Sequence, residues 1–140
     1  MVPMDLDFAL VADYAEVIAG KLYLMGGGWD TLHVPNVPAA IRFAVALGVR
    51  FEWDETNRQV PIRVTVEDDD GAAYARAEGS VSVGRPPDLP PGSPQVAKLA
   101  LVLGLSLPRY GGYRVLVTAG EGEAERTRSL PFRLVRAPTV

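Results

Sequence analysis

The chain has 140 residues, no cysteine, a single histidine and a formal net charge of −3. That length fits one domain, residues 1–140, able to bury roughly 68% of its unfolded surface without a metal or disulfide staple. Lack of cysteine excludes disulfides, thiolate metal sites and thiol nucleophiles, and the negative balance supplies no basic field to attract nucleic acid.

From Leu6 the pattern alternates. Leu6, Phe8, Leu10 and Ala12 point one way and Asp5, Asp7 and Asp13 the other, which predicts a half-buried first strand. Ala19-Gly20 predicts a hairpin turn into a second extended segment, Gly20 to Val34, with Gly26-Gly27-Gly28 in its middle. Consecutive glycines in a strand mark a bulge, a bend or close approach by another backbone or ligand. In an unbroken register Asp30 would fall on the apolar face of Leu22, Leu24, Leu32 and Val34, and a bulge at the glycines flips the phase. Trp29 then either caps the core or, with Tyr23 and a floor of Gly26, Gly27 and Gly28, forms a stacking wall for a small ligand. Pro35 and Pro38 stop the segment, since each removes a ladder donor.

The third strand alternates Ile41, Phe43, Val45, Leu47, Val49, Phe51 and Trp53 with a second set that, between Arg42 and Arg50, holds only Ala44, Ala46 and Gly48. Side chains that small allow something flat to pack closely. Asp54 to Arg58 turns into a fourth strand carrying Val60, Ile62, Val64 and Val66, and Asp68-Asp69-Asp70-Gly71 turns again into a fifth from Ala73 to Val83. Arg85 to Pro94 contains five prolines and reads as an irregular loop. In the sixth segment Leu99, Leu101, Leu103, Leu105 and Leu107 share one face while Val96, Ala100, Val102 and Gly104 share the other. A strand apolar on both faces is covered by the proline loop, by a neighbouring element or by a second protomer. Strands through Tyr113–Val117 and Leu130–Leu134 close the chain, with Pro131 placing the last at an edge. About eight strands with frequent turns amount to a single antiparallel β-sandwich, immunoglobulin-like or jelly-roll.

The segments Phe8-Ala9-Leu10-Val11-Ala12-Asp13, Gly20-Lys21-Leu22-Tyr23 and Gly26-Gly27-Gly28-Trp29-Asp30, with a late Gly112-Tyr113-Arg114-Val115 strand and the closing Leu130-Pro131-Phe132-Arg133-Leu134-Val135, resemble an uncharacterised bacterial family of short all-β proteins, a domain of unknown function. The resemblance implies one all-β domain and carries no activity or catalytic residue.

Chemistry-bearing motifs are sparse. His33 stands alone, so a multi-histidine metal site is excluded. Gly104-Leu105-Ser106-Leu107-Pro108 lacks the last glycine and the helix of a nucleophile elbow. Gly26-Gly27-Gly28 lacks the Gly-Lys-Ser/Thr of a phosphate loop. The acidic groups Glu52, Asp54, Glu55 and Glu67, Asp68, Asp69, Asp70 suit calcium by ligand type. A hairpin of strands three and four, however, holds them roughly 25 Å apart at about 3.3 Å per residue, so each reads as a solvated turn. No apolar run approaches the roughly 20 residues of a membrane helix, and Asp5 and Asp7 stand where a secretory signal would be basic. The expectation is a cytoplasmic, non-catalytic module without metal or cofactor, with no nucleic-acid or membrane partner. It binds another protein or itself, as a homodimer, through Ala44, Ala46, Gly48, Ala100, Val102 and Gly104. The alternative is a small-ligand or carbohydrate site at the Gly26–Trp29 bulge.

Overall fold

Alternation of apolar and polar residues decides which face each strand buries. In the computed structural model, which describes residues 4–138, it produces nine strands in two sheets. They are β1 (Asp5–Ile18), β2 (Lys21–Gly27), β3 (Thr31–Val34), β4 (Ala39–Phe51), β5 (Val60–Asp68), β6 (Ala73–Val81), β7 (Gln95–Leu107), β8 (Gly111–Ala119) and β9 (Arg126–Arg136). One sheet runs β2-β1-β4-β7 and the other β3-β9-β8-β5-β6. Neighbours pair antiparallel except β3 and β9, which run parallel with Thr31 opposite Arg133.

This order separates the two topologies that alternation leaves open. With β1 and β4 as strands A and B, β7 takes the place of E beside B, and β9-β8-β5-β6 reads G-F-C-C′. The sandwich is therefore immunoglobulin-like rather than a jelly-roll, and the Arg85–Pro94 loop occupies the stretch between C′ and E.

Between the sheets, Phe43, Val45, Leu47, Val49 and Phe51 of β4 face Ile62, Val64 and Val66 of β5, Val115 and Val117 of β8 and Leu134 of β9, all buried. Each such side chain contributes about 1.5–3 kcal/mol when fully removed from water. Edge-to-face contacts of Trp29 with Phe43 (5.4 Å) and Phe132 (5.7 Å) close one end of this core.

The glycine-centred segment departs from the sequence expectation. It is not one bulged strand: β2 belongs to the first sheet and β3 to the second, and Gly28–Asp30 carries the chain across. Gly26 and Gly28 adopt φ of +64° and +80°, the left-handed region open to glycine. The crossing is tied at both ends, Gly28 N–H donating to Val11 O (2.7 Å) and Arg133 N–H to Asp30 O (2.9 Å). The conflict over Asp30 vanishes because the two halves of the segment face different sheets. Pro131 does lie at an edge, but β3 flanks the rest of β9 from Arg133 onward.

Candidate functional site

Beyond Ala12, which pairs with Ala44, β1 parts from β4 and continues with β2 as a two-stranded arm. Its turn is Ala19-Gly20, both at positive φ (50° and 76°), the geometry of the tight primed hairpin turns. Within the arm Tyr14 opposes Met25, Ala15 opposes Leu24, Glu16 opposes Tyr23, Val17 opposes Leu22 and Ile18 opposes Lys21.

The arm folds back on its own sheet. Ala15 is buried in one cluster with Ala44 and Ala46, with Leu10, Leu22 and Ala100 packed around them. Residues Tyr14–Val17 share a cleft of about 440 Å³ with Lys98–Ala100 and Val102 of β7. Since β4 separates β1 from β7 in the sheet, that proximity requires the far half of the arm to lie across the outer surface of β4. Small residues make the approach possible. Ala44 and Ala46 are 0% exposed, and a Cβ on Gly48 would collide with the Phe8 ring.

The arm has two unlike faces. Ala15, Val17, Leu22 and Leu24 look toward the sheet, while Tyr14, Ile18, Tyr23 and Met25 look outward at 49%, 51%, 52% and 73% exposure. Among the described residues the exposed large hydrophobic side chains all lie on this arm, apart from Val102 on the neighbouring β7. Its free strand β2 carries one charge, Lys21, at the turn end. The edges of the second sheet are built differently. There β6 presents Arg76 and Glu78, which pair with each other, and β3 is only four residues long. Charged or very short edges resist pairing with other chains, and β2 has neither safeguard along most of its length.

The residues singled out from sequence are thus redistributed. Ala44, Ala46 and Gly48 are not an open interface, because the chain's own arm and Phe8 cover them. Ala100 is half-covered by the same arm, while Val102 and Gly104 remain open. Tyr23 and Trp29 do not form one wall: Tyr23 sits on the outer face of the arm, and Trp29 is wedged against Phe43 and Phe132 with its indole N–H buried and unpartnered. Gly26, Gly27 and Gly28 are exposed between them. Trp53 ends up outside the third strand, in the short helix Trp53–Glu55, under the Arg85 guanidinium at 4.2 Å from the ring centre. Tyr14, Ile18 and Met25 were missed. Their signal was present as apolar side chains on both faces of Tyr14–Ile18 and of Leu22–Met25.

Three carboxylates of the two acidic groups, Asp68, Glu55 and Glu67, are engaged within the fold. Asp68 is buried at the β5–β6 turn, where Oδ1 accepts from the Asp70 and Ala72 N–H groups (2.9 and 3.0 Å) and Oδ2 from Tyr74 Oη (2.6 Å) and Arg109 Nη2 (3.1 Å). These donors, the Tyr74 hydroxyl foremost, hold its carboxyl at about 2 against the opposing effect of burial. The same bond pushes the Tyr74 phenol up. Glu55, also buried, accepts from the N–H groups of Met4 (2.8 Å) and Glu52 (3.0 Å) and from Arg58 (3.3 Å). Glu67 is held by Arg114. His33 is exposed on β3. Among the described residues no cluster of three His, Cys, Asp or Glu side chains is placed to hold a metal ion, and no helix is long and apolar enough to cross a membrane.

Residues 7–134 match the profile of DUF6941, a family of unknown function. The chain belongs to this family. It matches none of the curated proteins. Among solved structures, this DUF6941 chain is similar to a β-glucuronidase from glycoside hydrolase family 2, at 19% identity and a TM-score of 0.50. The match covers 93% of this chain and 11% of that one, so the DUF6941 chain spans a small part of the enzyme, and the likeness shows the fold alone. Northeast Structural Genomics Consortium target SoR45 matches over 95% of this chain and 86% of its own at 13% identity; its TM-score of 0.32 carries no argument.

Proposed function

We propose that this DUF6941 chain is a non-catalytic protein-binding module and that its contact element is the β1–β2 arm. The observation carrying the reading is that the exposed large apolar side chains gather on one hairpin with an unprotected edge. From their fractional exposures the arm leaves on the order of 500 Å² of apolar side chain in water, taking 150–250 Å² for a large side chain. Contiguous patches beyond a few hundred Å² mark interaction surfaces on soluble proteins. The non-catalytic part of the proposal is supported by Asp68 and Glu55, whose oxygens are occupied by donors of the fold itself.

The test is a photo-crosslinking residue placed at Tyr23 in one protein and at Ser80, exposed on β6, in another. Adducts of defined mass are expected from position 23 and not from position 80, and adding Ile18→Ser and Met25→Ser should abolish them. Equal labelling at both positions would remove the arm from consideration.

A further inference from the structure

We infer that the arm's partner is a second copy of this chain, joined by antiparallel pairing of the two β2 edges about a two-fold axis at Tyr23. The inference rests on the protein-binding reading of the arm and names its occupant.

Backbone geometry selects the register. A two-residue turn makes Ile18–Lys21 a hydrogen-bonded pair, and such pairs alternate with non-bonded ones along an antiparallel ladder. Tyr23 and Met25 accordingly bond back to β1. Leu22 and Leu24 aim their N–H and C=O groups at the open edge. Gly26, at φ +64°, ends the regular edge, so Lys21–Met25 is the usable stretch. Pairing this stretch with itself about Tyr23 sets Leu22 of each copy opposite Leu24 of the other. Those are the residues with free backbone groups, and the match supplies four inter-chain hydrogen bonds.

The side chains agree with that register. On the inner face Leu22 and Leu24 extend one apolar row across the junction. On the outer face the two Tyr23 rings meet on the axis, and each Lys21 lies beside Met25 of the second copy. Antiparallel pairing keeps the two Lys21 ammonium groups at opposite ends of the ladder, so like charges do not face each other; a parallel arrangement would put them side by side. Isologous contact also draws on side chains that the single copy leaves in water: Tyr23, Leu24 and Met25 line the open β2 edge at 52%, 38% and 73% exposure, and each gains a cross-strand neighbour in the pair.

Light scattering or sedimentation equilibrium across a dilution series reads the pairing directly. The unmodified chain is expected at twice the 15.0 kDa of one copy, dissociating on dilution. Tyr23→Lys, which brings two ammonium groups together on the axis, should weaken the dimer by at least tenfold. Ser80→Lys on β6 should leave it intact. Tyr23 is half exposed, so the variant should melt where the unmodified chain melts once diluted to monomer. A monomer at every concentration overturns the second copy as occupant, while the crosslinks from position 23 still report on a different protein. A dimer indifferent to Tyr23→Lys overturns the β2 edge as the junction.

Discussion

Ala46→Leu tests the covering of β4 by the arm. Ala46 is 0% exposed beneath Ala15, Leu10 and Leu22, so the larger side chain must either be squeezed in or push the arm away. Squeezing into a packed site costs about 1–3 kcal/mol. Lifting the arm would uncover the methyl groups of Ala15, Ala44 and Ala46 and the covered parts of Leu10 and Leu22. At ~0.8 kcal/mol per buried carbon, that amounts to about 4 kcal/mol. The smaller penalty wins, and the arm should stay docked but tilted. A destabilisation of 1–3 kcal/mol corresponds to a fall in melting temperature of roughly 3–10 °C for a domain of this size. Hydrogen exchange at Tyr14–Val17 should quicken while the amides of β5 and β8 remain protected. Ala40→Leu is the internal control, because Ala40 lies on the same outer face of β4 but is exposed, and its melting temperature should not move. Equal, negligible shifts for both variants would mean that nothing lies over Ala46.

Three further outcomes are expected. Ala19→Asn should raise stability by up to about 1 kcal/mol in chemical denaturation, because Ala19 sits at φ 50°, where asparagine is better tolerated. Gly48→Val should lower it by about 1–3 kcal/mol, since the new side chain must displace the Phe8 ring; Gly104→Val, at an open position, should not. The Asp68 carboxyl is held at about 2 rather than the ordinary 3.8, so its contribution is complete above the ordinary value and is lost as pH falls from there through about 2. Asp68→Asn should therefore melt lower at neutral pH and show a shallower loss on acidification, and parallel acid limbs for the two proteins would contradict that assignment.

Much of this architecture is legible in local alternation, and the rest depends on pairing at a distance. Ile41–Phe51 and Leu99–Leu107 announce their buried faces residue by residue. By contrast, nothing near Thr31–Val34 says that its partner is Arg133–Arg136, about a hundred residues away. The glycines signalled unusual backbone correctly, but a bulge within a sheet and a crossing between sheets ask for the same positive φ. The stripe Ala44, Ala46, Gly48 likewise announced a close-packed neighbour, expected from sequence to be another protomer or another protein, and the neighbour is the same chain's arm. The outward Tyr14, Ile18 and Met25 escaped notice because their spacing resembles a buried strand's until the hairpin leaves the sheet. Trp53 continues the β4 alternation in sequence, yet the chain has already turned at Glu52 to bring Glu55 under Met4.

The passage through Gly28–Asp30 also laces one flank of the sandwich shut, and so defines a seam. A cut between Gly27 and Gly28 would divide the chain into a 27-residue hairpin and a remainder that still contains every other strand. The hairpin would be retained by the β1–β4 ladder, by Leu6 and Val11 in the core and by Ala15 in its trough. The junction therefore separates two pieces of chain that share one sheet and one core without another covalent link on that flank.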